Sequence, residues 1–406
     1  MLSSITSYSQ IGWINYNQSN SPLPENSVRT ITFGKDSTAW IGTDFGLAKL
    51  KDTTWTVYYS FNTAGGLPND AVRALTIDTN NVKWIGTLLG GLTRYDDTTW
   101  TSRNTLNSPL PDDYVRDVKF DATGNTWIAT TNGLVRIDST QTWTIYNIAN
   151  SSFQSDNIAH IFIDPDNNNK IIGTVNGGLT IINDTINTTY TIANSGIADN
   201  SLLDIDKDTN GNYWIASPSN GLVVKIAPAG WLSLNPTSSG LQTSGLTCLE
   251  IIANGDIWIG SVDSGIIRKS GTIFNAWNTS NSPLTDNYIQ CIAFAPDGKL
   301  WMGTQTSGVF VMDITLITTA QTNFSYNAFN VYPNPVIDNL QVRTTFKNNV
   351  HFNLQDMAGR EQNVSIQKSS TGYYILNMAT LSQGFYLLNV MDDFGNRFSK
   401  KIIKVM

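Results

Sequence analysis

Histidine and cysteine are almost missing from this sequence, with two of each in 406 residues. His160 and His351 leave little room for imidazole chemistry. Cys248 and Cys291 stand 43 residues apart, so no zinc spacing can be built from them. They hold one register in adjacent repeats, and the expectation is two free, buried thiols facing apart. No G-x-S-x-G elbow and no H-E-x-x-H helix occur. Charge is also scarce. Only 14% of residues are Asp, Glu, Lys or Arg, and the net charge is −7. That excludes the basic footprint nucleic acid needs and the polybasic patch an anionic membrane needs. No apolar run reaches the roughly 18 residues that span a bilayer. The opening MLSSITSYSQIGW lacks a positive stretch followed by an apolar one, so no signal peptide is legible in it.

What is present is a hydrophobic fraction of 40%, with Asn, Thr, Ser and Gly at the polar positions. This suits short strands joined by tight turns. One tetrapeptide recurs: Trp40-Ile-Gly-Thr43, Trp84-Ile-Gly-Thr87, Trp127-Ile-Ala-Thr130, Ile171-Ile-Gly-Thr174, Trp214-Ile-Ala-Ser217, Trp258-Ile-Gly-Ser261 and Trp301-Met-Gly-Thr304. The spacing alternates between 44 and 43 residues. Seven copies at a period of 40–50 residues predict propeller blades.

Each unit opens on an apolar run such as Val115-Arg-Asp-Val118, turns, and enters the tetrapeptide. It then turns at a glycine (Gly46, Gly91, Gly133, Gly178, Gly221, Gly265, Gly308) into a third strand. An aromatic fourth strand follows, beginning at Trp55, Trp100, Trp143, Tyr190, Trp231 or Trp277. The seventh unit has no fourth strand. Trp13-Ile-Asn-Tyr16 is an orphan of that type, so it is expected to complete the last blade and remove two sheet edges. A buried Trp covers about 150–250 Å². Its loss should cost about 3–5 kcal/mol, and the unit with Ile171 should be the weakest.

The units resemble the two-component regulator propeller repeat over residues 13 to 314. The family takes its name from membrane-bound sensor kinases. This chain shows neither a spanning helix nor a kinase, so that role does not carry over. Residues 315–328 read as a Thr- and Asn-rich linker. After it, Tyr332-Pro333-Asn334-Pro335, an Asp356-x-x-Gly359-Arg turn, a Leu381-x-x-Gly384-x-Tyr-x-Leu strand and a Lys400-Lys401-Ile-Ile-Lys404-Val ending follow in order. Residues 329–406 thus resemble the C-terminal sorting domain of the type IX secretion system of Bacteroidota. The resemblance implies export to the cell surface or medium through that machinery, and a leader for inner-membrane export that this sequence does not display. The expected architecture is all-β: a seven-bladed propeller over 1–314, closed by residues 13–16, then a small Ig-like β-sandwich.

Candidate sites lie on the loop face. A polar pair precedes each first strand: Glu25/Asn26, Asn69/Asp70, Asp112/Asp113, Asp156/Asn157, Asp199/Asn200, Thr243/Ser244 and Asp286/Asn287. These cap turns or form an acidic ring at a channel mouth. Arg29, Arg73, Arg116 and His160 are read as one register that Leu203, Thr247 and Gln290 break. They serve structural hydrogen bonds or an anionic ligand. Phe45, Leu88 and Leu89 are apolar where other loops are polar, which is a binding signal. Asp206, Asp208 and Asn210 in DIDKDTNGN have the spacing of half a calcium loop, but Ser217 stands where its last ligand belongs. The acid/base histidine of the streptogramin-lyase propellers, a distant relative in shape, finds no counterpart. No cofactor is expected and a monomer is. The leading reading is a glycan- or protein-binding module. A glycan-active hydrolase or lyase using carboxylates at the mouth, and a structural surface scaffold, are the alternatives.

Overall fold

The computed structural model describes residues 12–183, 187–227, 230–316, 329–344, 350–356, 360–370, 373–392 and 397–405. It divides into two compact units, Met1–Leu316 and Ile317–Met406. Most of the expected linker and Gly359 lie outside the described residues.

In the first unit, alternating short apolar segments pair as seven four-stranded antiparallel sheets. Their first strands are Val28–Phe33, Val72–Ile77, Val115–Phe120, Ile158–Ile163, Asp204–Lys207, Leu246–Ile251 and Ile289–Phe294. Each first strand lies beside the next, and the last lies beside the first. Six sheets are consecutive in sequence. The seventh takes Trp13–Tyr16 as its outer strand, with Trp13 opposite Met312 and Tyr16 opposite Val309. Tyr16 stacks on Trp301 at 5.9 Å, as Tyr58 stacks on Trp40 at 5.8 Å and Tyr146 on Trp127 at 5.8 Å. The N-terminal segment therefore supplies the aromatic partner that the first, third and sixth sheets carry within themselves. Two fourth strands differ from the sequence expectation: Tyr190 and Trp277 end theirs (Asn187–Tyr190 and Ile273–Trp277) rather than begin them.

The tetrapeptide divides its work by position. Trp40, Trp127 and Trp258 are buried, and the following Ile41, Ile128 and Ile259 are fully so. The third residue must be small. A Cβ on Gly42 would come within 2.6 Å of both Thr30 and the next sheet's Val72, and one on Gly86 within 2.6 Å of Val115. The hydroxyl at the fourth place closes the following turn, Thr43 to the carbonyl of Gly46 at 2.8 Å and Thr304 to that of Gly308 at 2.9 Å. These turn glycines have positive φ, for example 76° at Gly91 and 81° at Gly308. Their N–H groups donate across to the neighbouring sheet: Gly46 to Asp70, Gly91 to Asp113, Gly133 to Asp156, and finally Gly308 back to Asn26. The repeated glycine thus joins one sheet to the next.

The turn between first and second strands is pinned from the tetrapeptide itself. The indole N–H of Trp84, Trp127 and Trp214 donates to Asp78, Asp121 and Asp208 at 3.1, 2.8 and 2.8 Å. Lys83 is buried between the rings of Trp40 and Tyr95 and reaches Asp97 at 2.6 Å.

The second unit has two four-stranded sheets. One orders Phe329–Tyr332, Asn339–Thr344, Tyr373–Asn377 and Ile366–Ser370; the other orders Glu361–Gln362, Val350–Asp356, Gly384–Asp392 and Arg397–Lys404. Leu340, Val342, Tyr374 and Leu376 of the first share one core with Leu354, Leu388, Val390 and Ile402 of the second.

Candidate functional site

The seven first strands surround a cavity of about 480 Å³. Three rungs of side chains line it. In six sheets the strand carries a β-bulge near its start, so two successive residues turn toward the cavity before alternation resumes. The upper rung, at the loop face, holds Arg29, Arg73, Arg116, Ala159, Leu203, Thr247 and Gln290. The middle rung faces the tetrapeptide glycines and alanines: Thr30, Ala74, Asp117, His160, Asp204, Cys248 and Cys291. The lower rung faces the tryptophans, with Lys119 opposite Trp127, Asp206 opposite Trp214 and Glu250 opposite Trp258.

This corrects the sequence register. His160 pairs with Gly173 as Asp117 pairs with Ala129, so it belongs one rung below Arg116, whose true counterpart is Ala159. The cause is a longer turn in the fourth unit. The Asp164 N–H donates its closing bond to the carbonyl of Asn169, whereas the Asp121 N–H donates to that of Asn125. Counting back from the tetrapeptide through that turn displaces the assignment by one residue.

The rungs differ in chemistry. At the upper rung, Arg29 donates from Nε and Nη2 to Asp44 at 2.9 and 2.8 Å, and Arg73 binds the same carboxylate. Burial opposes its ionisation, but the bonds from Arg29 and Ser27 and the charges of Arg73 and Arg29 hold Asp44 at about 2. Arg116 lies 4.7 Å from the ring centre of Tyr114. Among the described residues no carboxylate pairs with Arg116, and its buried Nε meets no acceptor. Tyr114 and Tyr288 also sit close enough to help raise the pKa of Arg29 against its burial.

Below, His160 lies between two carboxylates, 3.2 Å from Asp117 through Nδ1 and 3.2 Å from Asp204 through Nε2. Lys119 reaches Asp117 at 3.4 Å. Each carboxylate also binds the next sheet's backbone: Asp117 takes Ile161 N–H at 2.9 Å, Asp204 takes Leu249 at 2.8 Å, and Asp206 takes Ile251 at 2.8 Å. Burial raises Asp204 and Asp206. Burial, with Asp206 and Asp204 adding like charge, pushes Glu250 up to about 7. Asp117 is held down in spite of burial by Lys119, His160 and two backbone amides. Sequence reasoning missed Asp44, Asp117, Lys119, Tyr114, Tyr288 and Glu250. Comparing the seven first strands residue by residue would have singled out their departures from the repeat.

The polar pairs cap turns. Asp70 accepts Ser60 N–H at 2.6 Å, Asp113 accepts Thr105 at 2.7 Å and Asp156 accepts Ile148 at 2.7 Å. Asp112 takes Tyr114 N–H and the Thr131 hydroxyl, Asp199 takes Ser201 N–H and two serine hydroxyls, and Asp286 takes Thr306 and Tyr288 N–H.

The calcium-like spacing is separated in space. Asp204 and Asp206 lie on a strand lining the cavity, whereas Asp208 accepts the N–H groups of Asn210 and Asn212 within a turn. Among the described residues no His, Cys, Asp or Glu group could hold a metal. The two thiols are free and both line the cavity; Cys248 is buried, but Cys291 is only half-buried. Burial, followed by Asp204 and Cys291, pushes the Cys248 thiol well up, and burial takes Cys291 to about 12.

On the loop face, Phe45 and Leu89 are 55% and 71% exposed and Leu88 is half-buried. Phe45 packs 6.0 Å from Tyr59, which stacks on Phe61 at 4.9 Å, and Phe61 is 75% exposed. In the tail, Tyr332, Pro333, Asn334 and Pro335 are exposed, and Asn334 binds both Lys401 O and Ile403 N–H on the last strand at 2.9 and 2.8 Å. Lys400, Lys401 and Lys404 lie on that strand; Lys401 covers Phe385, and Lys404 is buried. Gly384 opens the strand paired to it.

Comparison with known proteins agrees with this geometry. Residues 330–405 match the secretion system C-terminal sorting domain, and residues 283–306 match the two component regulator propeller. No curated protein sequence matches the chain. The fold is similar to the extracellular domain of the hybrid two component system BT3049 from B. thetaiotaomicron (TM-score 0.64, 19% identity, 97% of this chain and 54% of that one). It is also similar to PorZ, a surface component of the type-IX secretion system of Porphyromonas gingivalis (TM-score 0.59, 15% identity, 94% and 60%). Virginiamycin B lyase from Staphylococcus aureus shares the propeller alone (TM-score 0.59, 16% identity, 74% and 99%). The chain thus spans little more than half the length of the first two. It is an all-β protein with a propeller fold that carries a match to the two component regulator propeller at residues 283–306. Its C-terminal sorting domain directs it through type IX secretion to the cell surface or the extracellular space, and none of its described helices is long and apolar enough to cross a membrane.

Proposed function

We propose that this protein is a surface or secreted binding module whose seven sheets are the blades of a seven-bladed propeller over residues 1–314. A linker at 315–328 joins it to an Ig-like sorting domain at 329–406. The propeller takes an extracellular glycan or protein ligand on its loop face. One observation carries this reading. At the mouth, Arg29 and Arg73 share the carboxylate of Asp44 and Arg116 holds none among the described residues, beside exposed Phe45, Phe61 and Leu89. An arginine with no ion-pair partner next to exposed apolar side chains is costly for a plain scaffold and useful for recognition. The carboxylates that an enzymatic reading would recruit at the mouth are engaged as turn caps.

The test is a glycan and peptide array probed with the full chain and with the double variant Arg73→Ala, Arg116→Ala. A saturable ligand lost in the variant supports the reading. Saturable ligands that the variant binds equally well, or none at all, would overturn it.

A further inference from the structure

We infer that the loop-face mouth is a receptor for the C-terminal carboxylate of an extended peptide with apolar final residues, inserted end-on. This rests on the binding reading above and names its ligand.

The first observation is charge. Asp44 shows that the mouth suits a carboxylate, since Arg29 grips it from two nitrogens and Arg73 from a third. That one carboxylate does not neutralise the upper rung. Arg116, in the next sheet and the same register, is left with an aromatic face and an unpartnered Nε. The other side of the same rung is Ala159, Leu203 and Thr247. A second carboxylate therefore fits on one side of the mouth.

The second observation is depth. One rung down, on the side of Arg116, Asp117 and Asp204 face the cavity around His160, with Lys119 beside Asp117. An anion that passed the arginines would meet like charge. The anionic group must stop at the mouth, so it is an end of the ligand and not a link within it.

The third observation is what lies outward. Phe45 directly follows Asp44, contacts Tyr59, and Tyr59 stacks on Phe61, making an exposed aromatic track that starts at the arginines. Phe45, Phe61 and Leu89 carry no side-chain donor or acceptor. They match apolar peptide side chains better than the hydroxyls of a sugar, which need polar partners beside the ring. A carboxylate followed by apolar groups along an extended line is the chemistry of a protein C-terminus.

The experiment uses the full chain, immobilised, and a random hexapeptide mixture with free C-termini against the same mixture amidated. Retained peptides are read by mass spectrometry at low and at physiological salt. Free-acid peptides should be retained at least tenfold over amides and be enriched in aliphatic and aromatic residues at the last two places. Arg116→Gln should lose most of the free-acid preference, and Phe45→Ala should lose the residue enrichment while keeping the acid preference. The fold of each variant is checked by its unfolding midpoint. Equal retention of acid and amide overturns the proposal, as does retention of neither. If both are held equally and Arg73→Ala, Arg116→Ala releases both, the loop-face reading stands and the terminal carboxylate falls. Stronger retention of oligogalacturonate than of any peptide would assign the mouth to an acidic sugar instead.

Discussion

The two sides of the cavity use the same backbone for opposite purposes. In the third to sixth sheets, the middle and lower rungs carry Asp117, Lys119, His160, Asp204, Asp206 and Glu250. Their charges face one another, and three of the carboxylates also hold the next sheet's N–H groups. In the first and second sheets those rungs hold Thr30, Thr32, Ala74 and Thr76, and the charge sits higher, at Arg29 and Arg73. The first side spends its ionic groups on joining neighbouring sheets. The second leaves cations at an open mouth. A repeat that is uniform in backbone can therefore be asymmetric in chemistry, and the departures from the repeat, not the repeat, locate the site.

The comparison breaks most visibly at Asp117. Asp117→Ala strips Lys119 and His160 of a buried partner and orphans the amides of Val118 and Ile161. We expect a loss of about 3–5 kcal/mol in urea unfolding. Glu250 is next. Its folded pKa, about 7, stands above the ordinary value of 4.5. The folded chain thus holds this proton more tightly, so its contribution to stability is full below pH 4.5 and is lost as pH rises through 7. Glu250→Gln should leave stability near wild type at pH 5 and raise it by up to about 3 kcal/mol at pH 8; equal differences at both pH values would show that the carboxyl titrates normally. A smaller effect is expected at Thr247, whose hydroxyl donates to Ile289 O at 2.6 Å between the sixth and seventh sheets. Thr247→Val should cost about 1 kcal/mol by chemical denaturation. Smallest is Arg116→Gln, at under about 1 kcal/mol, because that side chain holds no carboxylate. A cost comparable to Asp117→Ala would mean that the upper rung, too, is structural.

Much of the fold was legible because it is local and repeated. The tetrapeptide, the glycine turns and the aromatic fourth strands recur at short, regular spacing, and the orphan Trp13–Tyr16 could be matched to the missing strand by its type alone. The tail was legible in the same way, through four ordered elements. The site was not. His160 was counted through a turn that is one residue longer in the fourth unit, and a one-residue slip moves a side chain to another rung. The bulge near the start of the first strands was invisible, because alternation gives no sign of an extra residue. The DIDKDTNGN spacing read as a cation loop, yet a strand and its turn point Asp206 and Asp208 at different partners.

By itself the sequence determined the kind of strand, the length of the repeat, the tryptophan anchors, the glycine turns and the address carried by the tail. These follow from short-range spacing and from the need of each sheet to bury two faces. Tertiary structure alone decided which ionisable groups meet. Asp117, His160 and Asp204 come from three successive sheets, and the near-neutral Glu250 owes its shift to burial and to Asp204 and Asp206 of the preceding sheet. Electrostatic interactions depend on distance through space across a low-dielectric cavity, and distance along the chain does not report it.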